Sequence, residues 1–226
     1  PQESIPLIEC ANRVLAADIS AAHDLPPFDN SSMDGFAIRS ADSANAAAQG
    51  VTLKVVADIP AGSVPTVTLT AGEAARIMTG AQLPKGADAV IPVEDTDFHV
   101  RDAGTVAPQT VSFSRIAKAG ENVRPRGMDL LAGDVVLQKG RRLKPQDLGL
   151  LAMLGFAKVA VHKKPRAALL SSGDELLEVD APLTEGKIHD SNSYALAAAI
   201  QNAGVEVIRL GVAKDTRESV EGLLKK

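Results

Sequence analysis

Apolar and polar positions alternate along this chain with three different rhythms, each predicting a different kind of element. Near the start, Leu7, Ile8, Cys10, Ala11, Val14 and Leu15 recur at three- and four-residue spacing. That spacing predicts a helix over residues 6–17, with Pro6 tolerated in its opening turn. The polar, Pro- and Gly-bearing stretch 26–37 follows and reads as a bent loop. A short Ala-rich helix is expected near 41–48. From Val51 to Phe113 the runs shorten and become β-branched, at 51–57, 64–69, 89–93 and 106–113, with Pro, Gly and Asp between them. These predict a compact β-rich region with one short helix at 73–78, and residues 114–122 read as its exit.

Further on, Lys144-Pro145 opens a helix through Leu154 that Gly155 closes, and Val159 and Val161 alternate as a short strand. This piece is expected to pack back on the first helix, giving a discontinuous domain over 1–25 and 123–163 around an inserted β-rich domain at 26–122. Residues 164–226 read as the start of an α/β domain. In it, 167–170 suits a buried parallel strand, a helix runs from Ser191–Ser193 to Gly204, and a second strand covers 205–210. Thr216 or Asp215 caps a final helix through 226. The fold class expected is therefore multi-domain, α+β and α/β. Two strands and two helices in roughly 60 residues make a poor independent sheet, so the chain reads as part of something longer.

With 226 residues and 45% apolar content the chain can bury a real core, but aromatics are only 3%, so Ala, Val, Leu and Ile must fill it. A net charge of −4 argues against a general nucleic-acid binder. Arg124, Arg126, Lys139, Arg141, Arg142 and Lys144 nevertheless form one basic stretch, either a solvated face or an anion-attracting rim. Cys10 is the single cysteine; no intrachain disulfide can form, and its place on the apolar stripe suits a buried structural thiol in a reducing cytosol. No apolar run of about 18 residues occurs and no basic-then-apolar leader opens the chain, so a soluble cytoplasmic protein without a membrane partner is expected. The four histidines lie far apart, which disfavours zinc.

The chemistry concentrates where the two α/β strands end. Ser171–Glu175 follows one and Lys214-Asp215 follows the other. If these strands are parallel neighbours, the acids emerge at one sheet edge, where doubly wound folds bind ligands. Asp174 or Glu175 would then act with Asp215 on a single hard cation such as Mg²⁺, which keeps waters and bridges to phosphates. Taken singly, each acid can equally be a helix cap. No Walker-type or dinucleotide fingerprint is present; phosphate binding would fall to Ser171, Ser172 and the Gly173 backbone N–H. Asp190, Ser191 and Asn192 stand just before a helix, where they either cap it or contact the same ligand.

Six segments in order then carry a resemblance over nearly the whole chain: PPFDNSSMDGFA, RIMTGAQLPKGADAVIPVED, ENVRPRGMDLLAGD, LKPQDLGLLAMLG, SSGDEL and IHDSN. Together they resemble the MoeA/gephyrin family of molybdopterin molybdenumtransferases. Phe36 stands where that family usually has Tyr, Ser172 where it has Thr, and Met128 where it has an acid.

The resemblance implies insertion of molybdenum from molybdate into adenylylated molybdopterin, with release of AMP. It implies Mg²⁺ as cofactor and roles for Asp34, Thr79, Asp129, Glu175 and Asp215, the first three converging with the α/β cleft partly across a homodimer. A molybdopterin adenylyltransferase would act upstream. The soft sulfur ligands then belong to the substrate, and the protein needs no cysteines of its own. Two other readings stand beside this one: a gephyrin-like scaffold, for which the acids would be unnecessary, and a generic Mg²⁺-dependent phosphohydrolase.

Overall fold

Long-range pairing, more than local propensity, decides the elements of this chain. The structure is a computed structural model and describes residues 1–99 and 105–225. In chain order the main strands are β1 (Gln2–Pro6), β2 (Gly35–Ile38), β3 (Val51–Ile59), β4 (Glu73–Ile77), β5 (Ala89–Pro92), β6 (Thr110–Phe113), β7 (Lys158–His162), β8 (Arg166–Ser172) and β9 (Glu206–Ala213). The helices of two turns or more are α1 (Pro145–Met153), α2 (Asn192–Asn202) and α3 (Arg217–Leu224). The fold is mixed α and β. It divides into two compact units, Pro1–Ile19 with Val136–Lys226, and Ser20–Val135. Among the described residues no helix is long and apolar enough to cross a membrane.

The helix predicted over residues 6–17 does not form. β1 ends at Pro6, one 3-10 turn covers Leu7–Glu9, and Asn12 takes the left-handed conformation at φ 63°. Apart from the turns that return Cys10 N–H to Leu7 and Arg13 N–H to Cys10, the backbone of this segment hydrogen-bonds to distant chain. Leu7 N–H donates to the Ala157 carbonyl (3.0 Å), Asn12 to Leu143 (2.9 Å) and Leu15 to Arg141 (2.9 Å). Those partners outcompete the i→i−4 ladder. Helical spacing therefore named some buried residues for the wrong reason. Cys10 and Leu15 do enter a core with Leu137, Leu143, Leu151, Val159 and Val161, but Ile8 is 85% exposed. β1 pairs antiparallel with β7, from Gln2 opposite His162 to Pro6 opposite Lys158. α1 forms as its sequence predicts. Pro145 sits at its start, the Asp147 carboxylate accepts the Lys144 N–H (2.9 Å), and Gly155 turns left-handed just past its end at φ 82°.

The second unit is built on one mixed five-stranded sheet, in the order β5-β2-β4-β3-β6. Only β3 and β4 run parallel. Phe36 and Ile38 face one core with Leu53, Ile91, Val111 and Phe113; Ala37 between them faces a second core with Ile59, Ala75, Ile77 and Val90. Both faces are covered, so the central strands bury nearly every residue and lose the alternation that marks a strand in sequence. Each fully buried large side chain here contributes about 2 kcal/mol.

Four further expectations are corrected in this unit. The helix expected at 73–78 is β4, a strand whose Ala74–Ile77 stretch is fully buried. The loop expected over 26–37 ends in the central strand β2. The strand expected at 64–69 is absent except for one bridge between Thr68 and Lys85, because Pro65 interrupts the run and cannot donate to a ladder. The Ala-rich helix at 41–48 reduces to a 3-10 turn, Ser40–Ser43, and a single helical turn, Ala46–Gln49.

In the α/β part, β8 and β9 pair in parallel from Arg166 opposite Glu206 to Ser172 opposite Ala213. α2 ends where Gly204 turns left-handed at φ 86°. The Thr216 hydroxyl caps α3 by accepting the Ser219 N–H (3.3 Å), so Thr216 and not Asp215 is the cap. Residue 226, placed in that helix by the sequence, lies outside the described residues. α2 buries only Ser193 and leaves Leu196 half-exposed, so its Ala/Leu face does not pack inward. A two-stranded sheet is too narrow to cover it.

Candidate functional site

The parallel ladder fixes where the acids emerge. Ser172 lies opposite Ala213 at the last rung, so residues 173–175 and 214–215 leave the same sheet edge. There Asp174 N–H donates to Asp215 Oδ2 (3.4 Å) and Asp215 N–H donates to Asp174 Oδ1 (3.3 Å). Both residues are exposed, and both remain available to a cation on their outer sides. Glu175 does not join them. Its carboxylate folds back over Gly173, where a Cβ would stand 2.9 Å from Glu175 Oε2. Among the described residues no group of three or more His, Cys, Asp or Glu is placed to hold a metal ion. The donor set thus fits Mg²⁺ held by the two aspartates, waters and a substrate phosphate; it does not fit a cage of three carboxylates.

The Gly173 N–H, expected to meet phosphate, is already committed to the Ala213 carbonyl (3.2 Å). The exposed Ser172 hydroxyl remains as a donor at this edge. A cation that sequence reasoning missed stands at this edge: the Lys187 ammonium donates to the Asp174 carbonyl. Lys214 is exposed at the β9 end. Lys187 had no signal in the sequence, because a parallel bridge between Leu176–Leu177 and Ile188–His189 brings its loop to the edge.

The same bridge positions Asp190, whose N–H donates to the Leu177 carbonyl (2.9 Å). Asp190 is only 3% exposed. Its Oδ1 accepts the Ser193 N–H (3.0 Å), which caps α2, while Oδ2 is buried with no hydrogen-bond partner. Burial pushes the carboxyl toward the neutral form. Hydrogen bonding from Ser193, the influence of the Ser171 hydroxyl and the charge of Arg209 together outweigh burial and hold the pKa below its ordinary value. Arg209 is the second residue sequence reasoning missed. It donates to Ser193 Oγ (3.1 Å) and Glu178 (3.3 Å), with its guanidinium 3.9 Å from the Tyr194 ring centroid. An arginine inside the apolar run Val207–Val212 was the available signal. Ser191 and Asn192 are exposed at the start of α2, and Ser191 makes no side-chain cap.

In the other unit, Thr79 donates from both its backbone N–H and its hydroxyl to Asp34 Oδ1, each at 2.7 Å. β2 and β4 are adjacent strands, which places Asp34 just before one and Thr79 just after the other. Asp129 pairs with Arg124, and its N–H donates to the Leu25 carbonyl (2.8 Å). Of the basic stretch, Arg126 pairs with Asp24 and Arg141 with Asp147, whereas Arg142 has no carboxylate partner among the described residues.

Residues 1–155 match the sequence profile described as the MoeA N-terminal region (domain I and II), and residues 168–226 match a probable molybdopterin binding domain. A molybdopterin molybdenumtransferase 2 of Mycobacterium tuberculosis is 41% identical over 213 residues, covering 94% of this chain and 51% of that protein. A molybdopterin molybdenumtransferase of Staphylococcus aureus is 41% identical over 226 residues, covering 97% of this chain and 51% of that one. A solved molybdopterin biosynthesis MoeA protein from Pyrococcus horikoshii superposes on all of this chain and 58% of its own, with a TM-score of 0.87 at 36% identity. The chain spans about half the length of the curated relatives it matches. With its six ordered segments, its paired strands and the two profiles in agreement, the chain belongs to the MoeA family.

Proposed function

We propose that the protein inserts molybdenum from molybdate into adenylylated molybdopterin and releases AMP, as a step in molybdenum cofactor biosynthesis. The observation that carries this reading is the reciprocal Asp174–Asp215 pair beside Ser172, Lys187 and Lys214 at one sheet edge. Two adjacent carboxylates next to a phosphate-binding edge make physical sense only with positive charge between them and the phosphates. Mg²⁺, when bound there, would supply that charge and draw electron density from the pyrophosphate link. Lys187 and Lys214 add attraction for the phosphates, and the Ser172 hydroxyl orients one of them by a hydrogen bond. Asp190 is buried, so its part would be to hold the start of α2, where Ser191 and Asn192 are exposed to a ligand. Cys10 lies buried in a core, so the sulfurs that receive molybdenum are the substrate's own.

The same reading takes Asp34, Thr79, Asp129 and Glu175 as further catalytic contributors, and Ser171, Ser191 and Asn192 as ligand contacts. It takes the protein as a cytoplasmic homodimer supplied by a molybdopterin adenylyltransferase. Residues 1–25 with 123–163 would form the dimerising domain, and 164–226 part of the molybdopterin-binding one. The test is single replacement of Asp34, Glu175 and Asp215 by Ala in the full-length protein, with molybdate-dependent AMP release as readout. Loss of release with unchanged melting temperature supports the proposal, and undiminished release in all three variants defeats it.

A further inference from the structure

At the opposite end of the β8–β9 pair from the acids the molecule has a charged cavity, of about 490 Å³. Pro165 precedes β8 and Gly204 precedes β9, and both line it. β8 is seven residues long, which separates this cavity from the Asp174–Asp215 edge by roughly 20 Å. Its charged lining is entirely basic: Arg13, Arg142, Lys163 and Lys164, with no Asp or Glu. Arg13 is tied to Glu3 and to the His162 carbonyl (2.7 Å), which fixes it as a rigid wall. Arg142, Lys163 and Lys164 are exposed and have no carboxylate partner among the described residues.

Cations often gather at a helix C-terminus, and α2 ends here. That does not account for these. Ala203 N–H donates to the Ala199 carbonyl (3.1 Å), Gly204 to Gln201 (2.8 Å) and Val205 to Ile200 (3.2 Å). The helix end is closed largely by its own backbone, with Gly204 at φ 86°, which takes the Ala199, Ile200 and Gln201 carbonyls. What remains is a dipole equivalent to about half a negative charge against three formal positive charges. Three unneutralised cations around one cavity repel each other unless a multiply charged anion sits between them.

We propose that this cavity is a binding site for a small, multiply charged phosphate-class anion, separate from the substrate edge. Arg142 supplies a planar fork for two oxygens, Lys163 and Lys164 supply point charges, and the amides of Asn12, Gln201 and Asn202 supply neutral donors at the rim. No Phe, Tyr or Trp lines the cavity, and the half-buried imidazole of His162 is a small platform for a nucleotide base. The ligand class is a compact oxyanion of the pyrophosphate kind.

Inorganic pyrophosphate titrated calorimetrically into the full-length protein tests this. The wild type should show saturable binding that weakens as sodium chloride rises, since the charges are solvent-accessible. Arg142→Gln with Lys163→Gln should weaken binding at least tenfold, and Arg142→Lys, which keeps the charge but loses the fork, should weaken it less than Arg142→Gln. Ser172→Ala, at the substrate edge, should leave it unchanged, which separates this site from the phosphate subsite proposed above. Lys164→Gln alone, at an exposed position, serves if the double variant melts early. Absence of saturable binding, an affinity unmoved by changes at residues 142, 163 and 164, or a loss caused by Ser172→Ala would each overturn the proposal.

Discussion

Asp174 and Asp215 each accept the other's backbone N–H, at 3.3 and 3.4 Å, across the end of a parallel strand pair. The two weak bonds hold like charges side by side, an arrangement that stabilises nothing by itself but leaves two carboxylates ready for one cation. Asp215→Asn keeps an acceptor and removes one charge. We expect the Mg²⁺ concentration for half-maximal AMP release to rise at least tenfold, with unfolding free energy changed by less than about 1 kcal/mol. An unchanged Mg²⁺ requirement would mean that the pair is not a metal site.

Thr79 and Asp34 share two bonds of 2.7 Å to the same oxygen, one from the backbone and one from the hydroxyl. Thr79→Val removes only the hydroxyl bond, whereas Asp34→Ala removes both. In urea unfolding we expect a loss of about 1 kcal/mol for the first and up to about 3 kcal/mol for the second, because the bonds are to a charged acceptor. Equal losses would show that the hydroxyl alone carries the contact.

The parts legible in the sequence are those fixed by local chemistry. Pro145 and Gly155 marked both ends of α1, Val159 and Val161 marked β7, and the two strands feeding Asp174 and Asp215 were read with the right direction. What failed depended on partners far away in the chain. Glu73–Ile77 is helix-like in composition but lies between β2 and β3, where both faces are covered and alternation vanishes. Residues 6–17 kept the spacing of a helix while the N–H groups of Leu7, Asn12, Leu15 and Ala16 went to residues more than 100 positions on. In the site, Asp190 was legible as a capping acid, but its burial and its unpartnered oxygen were not, since both depend on the folded neighbours of Leu177.

Asp147 is buried, and Arg141 grips it with two nitrogens, at 2.9 and 3.1 Å. That guanidinium, with the Lys144 N–H, holds the carboxyl below its ordinary 3.8 against the opposing effect of burial. A depressed folded pKa gives stability that is present above the unfolded value and lost as pH falls through the folded one. Asp147→Asn should therefore destabilise by about 1–3 kcal/mol at neutral pH. The gap to wild type should close only as pH falls below about 3.8, where the unfolded chain begins to take up the proton. A gap that is constant down to strongly acidic pH would assign the effect to packing.

Cys10 is fully buried and its Sγ lies 3.3 Å from the Pro6 carbonyl. Burial raises the thiol above 9.0, more than the nearby Arg13 charge lowers it. The thiolate is the reactive form, so a disulfide reagent at neutral pH should modify the folded protein only at its unfolding rate. Rapid stoichiometric reaction in the absence of denaturant would contradict this burial.

Gly35 follows Asp34 for a steric reason that can be tested without substrate. It is a strand residue, and the constraint on it is space. A Cβ built on it would lie 2.0 Å from the Ile91 carbonyl oxygen and 3.0 Å from Pro92 Cα. Both obstacles are backbone atoms of β5, the neighbouring strand, so no side-chain rotation relieves the clash. Gly35→Ala must push β2 from β5 or shift the register in which Phe36 faces Ile91 and Ala37 faces Val90. Either change opens both cores that this sheet separates. We expect a loss of about 2–4 kcal/mol, in the range of severe core overpacking, and a fall in thermal midpoint of several degrees. The displacement begins one residue from Asp34, so the Asp34–Thr79 contact should loosen with it. Gly80→Ala is a control of different kind: its Cβ meets nothing within 4 Å, and its cost comes only from φ 80°. That substitution should lose about 1 kcal/mol. A smaller loss at Gly35 than at Gly80 would mean that β2 and β5 are not held as closely as the structure places them.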